Sequence, residues 1–158
     1  MECIMKKLRG KKLLVLGGKP IGSYEIVEYA KSLGIYTIVA DYLPDGESRA
    51  KQIADETWQI STADVKKLGE LAAGHGVDGI YTGVHEFNIE RMIELCDMLK
   101  YPCFCDKKQW DILNNKRSFK NLCREFYIPV TEEYIIDYNR INADIRFPVV
   151  VKPTDGSG

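Results

Sequence analysis

The chain has 158 residues and a mass of 18.0 kDa, enough for one domain or for one domain and the start of a second. Its 22 Lys and Arg residues nearly balance 23 Asp and Glu residues, and the net charge of -1 gives no electrostatic reason to expect binding to nucleic acid or to an anionic membrane. The composition, 45% hydrophobic and 28% charged, excludes an intrinsically disordered chain, and no apolar run reaches the roughly 20 residues of a membrane-spanning helix. The amino terminus lacks the apolar region of a signal peptide, so we expect a cytoplasmic protein.

Apolar runs alternate with stretches of helical periodicity over the first two thirds of the chain. The runs predict strands at Lys12–Gly17, Tyr36–Asp41, Thr57–Ile60 and Gly79–Thr82, and a further short strand at Pro102–Cys105. Three helices are predicted between these strands, with buried stripes that contain Ile26, Val27, Ala30 and Leu33, then Val65, Leu68, Leu71 and Ala72, and then Ile89, Met92, Ile93, Cys96 and Leu99. Gly34 is placed to close the first helix, and Ser61–Asp64 resembles a capping box that opens the second.

Strands and helices in alternation with short connections predict an α/β fold, a parallel sheet with helices on both faces. Such sheets bind ligands outside the carboxyl ends of their strands. The candidate ligand edge therefore consists of Gly17–Gly22, Asp41–Asp45 and Gly83–Phe87.

The pattern changes after Cys105, and we predict a domain boundary there, with residues 1–105 before it and 106–158 after it. Two short helices are predicted, separated by Asn114 and Asn115, and then strands at Glu133–Ile136 and Phe147–Lys152. A hairpin of this size is too small to be a domain by itself. We therefore expect the sequence to be a fragment that stops inside a second domain.

The loop Gly17–Gly22 lies between a strand and a helix, where a nucleotide-binding loop is often found. Lys19 occupies the place of the middle glycine of a dinucleotide-binding motif, although Asp41 lies where a ribose-binding carboxylate is expected. A P-loop is also incomplete, because Ser23 and Tyr24 replace its Lys-Ser/Thr pair. A tight structural turn, a small-ligand site and a dinucleotide site all remain open.

Three charged side chains are candidates for ligand contacts. Lys152 follows an apolar run and precedes a glycine-rich turn, an arrangement that can place one cation and several backbone N–H groups around a phosphate. Lys116 belongs to a basic helix face that is also compatible with simple solvation, and Glu86 can be either a helix N-terminal charge or a substrate contact. No catalytic triad or carboxylate pair can be recognised from spacing.

The cysteine count is five and the spacing is irregular, which predicts neither a disulfide framework nor a zinc site. Cys103 and Cys105 flank Phe104 in an apolar stretch. We expect reduced, buried thiols and no metal-binding site.

Four segments in the last third of the chain resemble, in order and spacing, the ATP-grasp superfamily of ligases. They are Asn115–Lys120, Ile128–Val130, Phe147–Pro153 and Asp155–Gly158. Residues 1–105 resemble the Rossmann-like pre-ATP-grasp domain of these enzymes, through segments such as Ala54–Thr57 and Val77–Thr82. The carbamoyl-phosphate synthase large chain and biotin carboxylase are the members that the chain resembles most.

The resemblance implies an ATP-dependent ligase that joins a carboxylate to an amine or a related nucleophile through an acyl phosphate. Lys116 and Lys152 would contact ATP, Asp155, Gly156, Ser157 and Gly158 would begin the loop that closes over the triphosphate, and Gly17, Gly18, Gly22 and Glu86 would face the carboxylate substrate. Residues 106–158 would begin the α+β ATP-grasp domain. The Mg²⁺ ligands of the family lie beyond Gly158, so no catalytic residue is expected in this chain, and the chain as given is predicted to be inactive. By analogy, a homodimer is possible.

Two alternatives remain open at this stage. One is an NAD(P)-binding oxidoreductase domain, which the missing middle glycine disfavours. The other is a non-catalytic ligand-binding or interaction module that keeps the sheet without the chemistry.

Overall fold

The computed structural model describes residues 7–134 and 145–152. The chain divides into two compact units, Met1–Lys107 and Lys108–Gly158. The predicted strand residues Ile135 and Ile136 and the loop Asp155–Gly158 lie outside the described residues. The assignment of the parts to a pre-ATP-grasp and an ATP-grasp domain stays a prediction.

The first unit is built on a four-stranded sheet in which every strand pair is parallel. The strands are β1 (Lys12–Leu16), β2 (Tyr36–Asp41), β3 (Glu56–Gln59) and β4 (Gly79–Thr82), in the spatial order β3-β2-β1-β4. Each agrees with a predicted strand to within a residue or so at either end. The predicted parallel sheet is confirmed.

Among the described residues, three helices that are described from end to end accompany the sheet and two belong to the region that follows it. They are α1 (Ile21–Ser32), α2 (Val65–Gly74), α3 (Glu86–Leu99), α4 (Lys107–Asn114) and α5 (Lys116–Glu125), and a short 3-10 helix spans Asp45–Glu47. None of the helices in the described part of the chain is both long and apolar enough to cross a bilayer.

The helix boundaries follow from local chemistry. Gly34 follows α1 with a φ of +76°, the left-handed conformation that glycine adopts without steric cost. The Asp64 side chain accepts a hydrogen bond from the Lys67 N–H and caps α2, so the predicted capping box is displaced: Asp64, rather than Ser61, is the N-cap. Asn115 separates α4 from α5 because its side chain accepts from the Ser118 N–H.

Both faces of the sheet are buried. Leu14 and Leu16 of β1 point into the larger core, which α2 and α3 cover, whereas Val15 packs against Val27 of α1 on the other face. The alternation follows from the two-residue period of a strand, and it explains why β1 is apolar throughout. The expectation of helices on both faces is confirmed.

The strand predicted at Pro102–Cys105 does not form. Lys100 ends α3 in a left-handed conformation with a φ of 59°, and the Tyr101 N–H bonds back to the Cys96 carbonyl. The Tyr101 hydroxyl is bound to the Val77 carbonyl. Because proline also lacks an N–H for a strand ladder, this segment turns back onto α3 without strand pairing.

The strand predicted at Phe147–Lys152 is likewise absent from the described residues. Val150 and Val151 are 79% and 78% exposed, and neither Phe147–Lys152 nor Glu133 and Tyr134 have strand structure. A strand requires a hydrogen-bonding partner, and no described residue pairs with this segment in a ladder. The apolar run at Phe147–Lys152 was therefore not sufficient to predict a strand.

The two-sided core gives a matched stability test. Val39 is fully buried in β2 and Val84 is 95% exposed after β4. Val39→Ala should lower the free energy of unfolding by about 2 kcal/mol, because two buried carbon atoms and their packing are lost, whereas Val84→Ala should change it by less than about 0.5 kcal/mol. Urea denaturation measures both. Equal effects would contradict the burial of this face of the sheet.

Candidate functional site

The strand order places the loops after β1 and β4 side by side. Leu16 of β1 lies between Ala40 of β2 and Thr82 of β4, and the chain reaches these two neighbours by connections on opposite sides of β1. This is the topological switch point of an open α/β sheet, the place where such sheets bind ligands. Gly17 and Glu86 were predicted as site residues from the sequence. Gly17 lies on the loop after β1, and Glu86 begins α3 directly after the loop that follows β4.

Gly17 continues the backbone beyond β1 and turns it away from the sheet. Its N–H donates to the Ala40 carbonyl, and its φ is +77°. A Cβ at this position would also collide with the Asn88 side chain of α3, whose Oδ1 accepts a hydrogen bond of 2.8 Å from Thr62. Gly17 is therefore required by both its conformation and its close neighbours.

Gly18 is required for a different reason, the absence of space. Its N–H donates to Asp41 Oδ2 at 2.8 Å and its carbonyl accepts from the Ala50 N–H. A Cβ on Gly18 would lie 2.9 Å from Asp41 Oδ2 and 2.8 Å from Val39 Cγ1, and it would also overlap the Ser48 hydroxyl. The loop after β1 is thus packed directly against the end of β2.

The buried Asp41 carboxylate binds four groups. Oδ2 accepts from the Gly18 N–H and, at 2.7 Å, from the Ser48 hydroxyl. Oδ1 accepts from the Leu43 N–H at 2.9 Å and lies 3.2 Å from Lys51 Nζ. The carboxylate is 7% exposed, so it is already occupied by the protein and is not available to a ribose. The position of Asp41 was the main sequence feature that favoured a dinucleotide site, and this geometry no longer supports that interpretation.

Lys51 is the buried counter-ion of this cluster, and its side chain is fully buried. Nζ donates to the carbonyl oxygens of Leu43 at 2.6 Å and of Asp41 at 3.2 Å. Spacing did not identify Lys51, Ser48, Thr62 or Asn88, because each meets its partner only after the loops have folded together. The one available signal was the position of Asp41 at the end of an apolar strand.

Gly22 and Glu86 differ from these packed residues. Gly22 lies in the first turn of α1, where a Cβ would meet no atom within 4 Å, and the first turn of α1 has neither a side-chain cap nor an acidic residue. Glu86 is the half-buried first residue of α3, whose N-cap His85 makes no capping hydrogen bond with its side chain. Free N–H groups and the positive end of the dipole at such a terminus favour an anion, so this side of the edge is open to a ligand.

The predicted ATP-contacting lysines lie in the second unit. Lys116 is the half-buried first residue of α5, and Lys152 is exposed at the end of the described residues. Asp155, Gly156, Ser157 and Gly158 lie outside the described residues. The site roles of all these residues stay predictions.

A recess of about 450 Å³ lies at the opposite, amino-terminal edge of the sheet. It is lined by Gly10, Lys12, Lys31, Gly34, Ile35, Tyr36 and Asp55. Lys31 and Asp55 form an ion pair of 2.6 Å, and although burial acts against it, hydrogen bonds from Lys31 and Thr37 lower the pKa of the Asp55 carboxyl. Because these charges already bind each other, the recess is a less favourable anion site than the edge at Gly22.

No cluster of three or more His, Cys, Asp or Glu side chains among residues 7–134 and 145–152 is placed to hold a metal ion.

Three solved structures share this fold. An N5-carboxyaminoimidazole ribonucleotide synthetase in complex with ADP covers 79% of this chain at 23% identity with a TM-score of 0.63, over 31% of its own chain. An L-amino acid ligase from Bacillus licheniformis covers 94% of this chain at 18% identity with a TM-score of 0.71, over 38% of its own chain. The third is the biotin carboxylase domain dimer of the Hydrogenobacter thermophilus 2-oxoglutarate carboxylase, solved with MgADP, ADP and bicarbonate. It covers 75% of this chain at 21% identity with a TM-score of 0.61, over 28% of its own chain.

The chain has the fold of the amino-terminal part of the ATP-grasp ligases. The resemblance that the sequence suggested is confirmed at the level of the fold. The chain spans about a third of the length of these structures, and no protein-family model or curated protein sequence matches it. At such low identity the similarity establishes architecture, and the activity has to be argued from the site.

The Asp41 cluster predicts a large difference between two aspartates that both lie near Lys51. Asp41→Ala should lower the free energy of unfolding by about 3–5 kcal/mol, because it leaves the Lys51 ammonium buried without its carboxylate. Asp45→Ala should cost about 1 kcal/mol or less, because that side chain is 60% exposed and 3.6 Å from Lys51 Nζ. Chemical denaturation of the two variants measures the difference. A cost for Asp41→Ala no larger than that for Asp45→Ala would contradict the assigned structural role.

The two glycines of the loop should respond in opposite ways to the same change. Gly18→Ala should cost about 1–3 kcal/mol, because the new methyl group overlaps Ser48 and Val39. Gly22→Ala should be neutral or stabilising by up to about 1 kcal/mol, because its Cβ points into open space within a helix. Thermal or urea unfolding distinguishes them, and a destabilising Gly22→Ala would show that this end of α1 is not open.

Proposed function

We propose that this chain is the amino-terminal part of an ATP-dependent ligase that joins a carboxylate to an amine through an acyl phosphate. The observation that supports this function best is the combination of the ATP-grasp fold with an open ligand edge at the switch point of its sheet. That edge carries one packed glycine pair, Gly17–Gly18, and one open helix terminus at Gly22. In this proposal residues 1–105 form the pre-ATP-grasp domain.

The carboxylate substrate would bind at the open side of this edge. The uncapped N–H groups at the start of α1 would bind the carboxylate, and Gly22 leaves room for it because it carries no side chain. Glu86, across the switch point, would contact a hydroxyl or amino group of the same substrate. Asp41 and Lys51 would not contact the substrate, because their charged groups already bind each other and the loops.

ATP would bind to residues 106–158, the second domain of the sequence-based division. Lysine ammonium groups suit phosphate oxygens, and Lys116 and Lys152 are the residues that would supply them, with Asp155–Gly158 as the start of the covering loop. When bound, ATP supplies the phosphoryl group that turns the carboxylate into an acyl phosphate. Such a reaction depends on positioned cations and backbone donors more than on a side-chain nucleophile, so the lack of a recognisable triad is compatible with it.

The solved relatives support the choice of cofactor and leave the substrate open. One was solved with ADP and another with MgADP and bicarbonate as a dimer. As parts of the proposal, this protein uses ATP and Mg²⁺, lies in the cytoplasm and can form a homodimer. Its resemblance to carbamoyl-phosphate synthase also belongs to the proposal. The Mg²⁺ ligands are expected beyond Gly158.

The proposal is tested by measuring ADP formation with panels of carboxylates and amines. The gene product isolated from its own cells should release ADP only when both a carboxylate and an amine are present, whereas the 158-residue chain should release none. In the active protein, Lys152→Ala should lower kcat by about 10²-fold or more, because a positioned cation is lost from the transferred phosphoryl group. Lys108→Ala, a change of an exposed lysine at the start of α4, is the matched control and should leave the rate unchanged.

Two results would contradict the proposal. If the gene product formed no ADP with any pair of substrates, the ligase activity would be wrong. If the 158-residue chain sustained ADP release by itself, the predicted incompleteness of this chain would be wrong.

A further inference from the structure

Two cysteine residues of the first unit lie at the same apolar cluster. Cys96 is on the last turns of α3 and is 1% exposed, and Cys103 is half-buried in the segment that follows α3. Cys103 packs against the same apolar cluster that contains Cys96, and its thiol is near enough to influence the pKa of the Cys96 thiol. Neither thiol takes part in the function proposed above.

The backbone fixes this approach independently of the thiols. After Lys100 ends α3 in a left-handed conformation, the Tyr101 N–H donates to the Cys96 carbonyl at 2.8 Å. The Tyr101 hydroxyl then bonds to the Val77 carbonyl before β4. These two contacts return the chain along the end of α3, so that Cys103 meets Cys96 rather than solvent.

Burial in apolar surroundings, with a smaller contribution from Cys103, raises the pKa of the Cys96 thiol to about 12. Cys96 therefore stays protonated at neutral pH and does not start an exchange reaction. Cys103 is the more accessible of the two, so it is the residue that a dissolved reagent would reach first.

We propose that Cys96 and Cys103 are a redox-sensitive pair that forms an intramolecular disulfide when the chain meets a low-molecular-weight disulfide such as oxidised glutathione. The Cys103 thiolate attacks one sulfur of the reagent, forms a mixed disulfide and releases one glutathione thiolate, which takes up the proton lost by Cys103. Cys96, on losing its own proton, then attacks the Cys103 sulfur and releases the second glutathione. Two cysteine thiols are oxidised and one glutathione disulfide is reduced to two thiols.

The disulfide would attach the segment Tyr101–Cys105 covalently to the end of α3. This segment leads directly to α4, so oxidation would restrict the chain where it leaves the first unit. Cys105 is a less suitable partner for Cys96, because Cys105 is buried and Cys103 is the cysteine that influences the pKa of the Cys96 thiol. Since a disulfide restricts the unfolded chain more than the folded one, the oxidised form should be the more stable form.

The test is oxidation of the folded chain with oxidised glutathione, followed by a non-reducing tryptic digest and mass spectrometry. Cleavage after Lys100 separates the two cysteines, so the disulfide joins the peptide Met92–Lys100 to the peptide Tyr101–Lys107. The second peptide also contains Cys105, and the variants Cys105→Ser and Cys103→Ser therefore decide which sulfur is used. The first should keep the linked peptides and the second should lose them.

A thermal melt of the oxidised and reduced forms gives a second readout. We expect the oxidised form to melt roughly 5–10 °C higher, and dithiothreitol to abolish the difference. Cys123→Ser, which changes a thiol of the second unit, should affect neither readout. Linked peptides that persist in Cys103→Ser, their absence after oxidation of the wild-type chain, or a lower melting temperature of the oxidised form would each overturn the proposal.

Discussion

The buried carboxylate of Asp41 joins three parts of the chain at the carboxyl edge of the sheet. It ends β2, accepts a hydrogen bond from the loop after β1 through the Gly18 N–H, and contacts Ser48 and Lys51 in the connection to β3. A carboxylate can be buried at acceptable cost only when its oxygens are fully bound and a counter-ion is near. The course of both loops, and the lack of a side chain at Gly18, follow from this requirement.

This cluster also decides which groups at the edge remain for a ligand. Asp41 lies where the sequence predicts a possible ribose-binding carboxylate, yet Asp41 and Lys51 bind each other and backbone groups. The groups that stay open are less conspicuous, namely the uncapped start of α1 and the half-buried Glu86 at the start of α3. A rigid cluster beside an open helix terminus is a sound arrangement for a substrate site, because the fixed part positions the part that binds.

The end of α3 shows how one turn can bring unused groups together. A left-handed residue, Lys100, reverses the chain, and two hydrogen bonds of Tyr101 hold the returning segment against the helix. The same geometry that prevents the predicted strand at Pro102–Cys105 places Cys103 against Cys96. The absence of the predicted strand and the approach of Cys103 to Cys96 thus have the same physical cause.

The sequence by itself determined the order of the four sheet strands and of the helices, and their boundaries to within a few residues. It could do so because apolar periodicity and turn residues such as Gly34 act over short distances along the chain. Local patterns failed where a partner was needed, at Pro102–Cys105 and Phe147–Lys152, because an apolar run does not specify what it will pair with. The tertiary structure alone decided that Asp41 is an internal ligand of the fold, that Gly18 and Gly22 differ in their surroundings, and that Cys96 meets Cys103, since each of these depends on groups that only folding brings into contact.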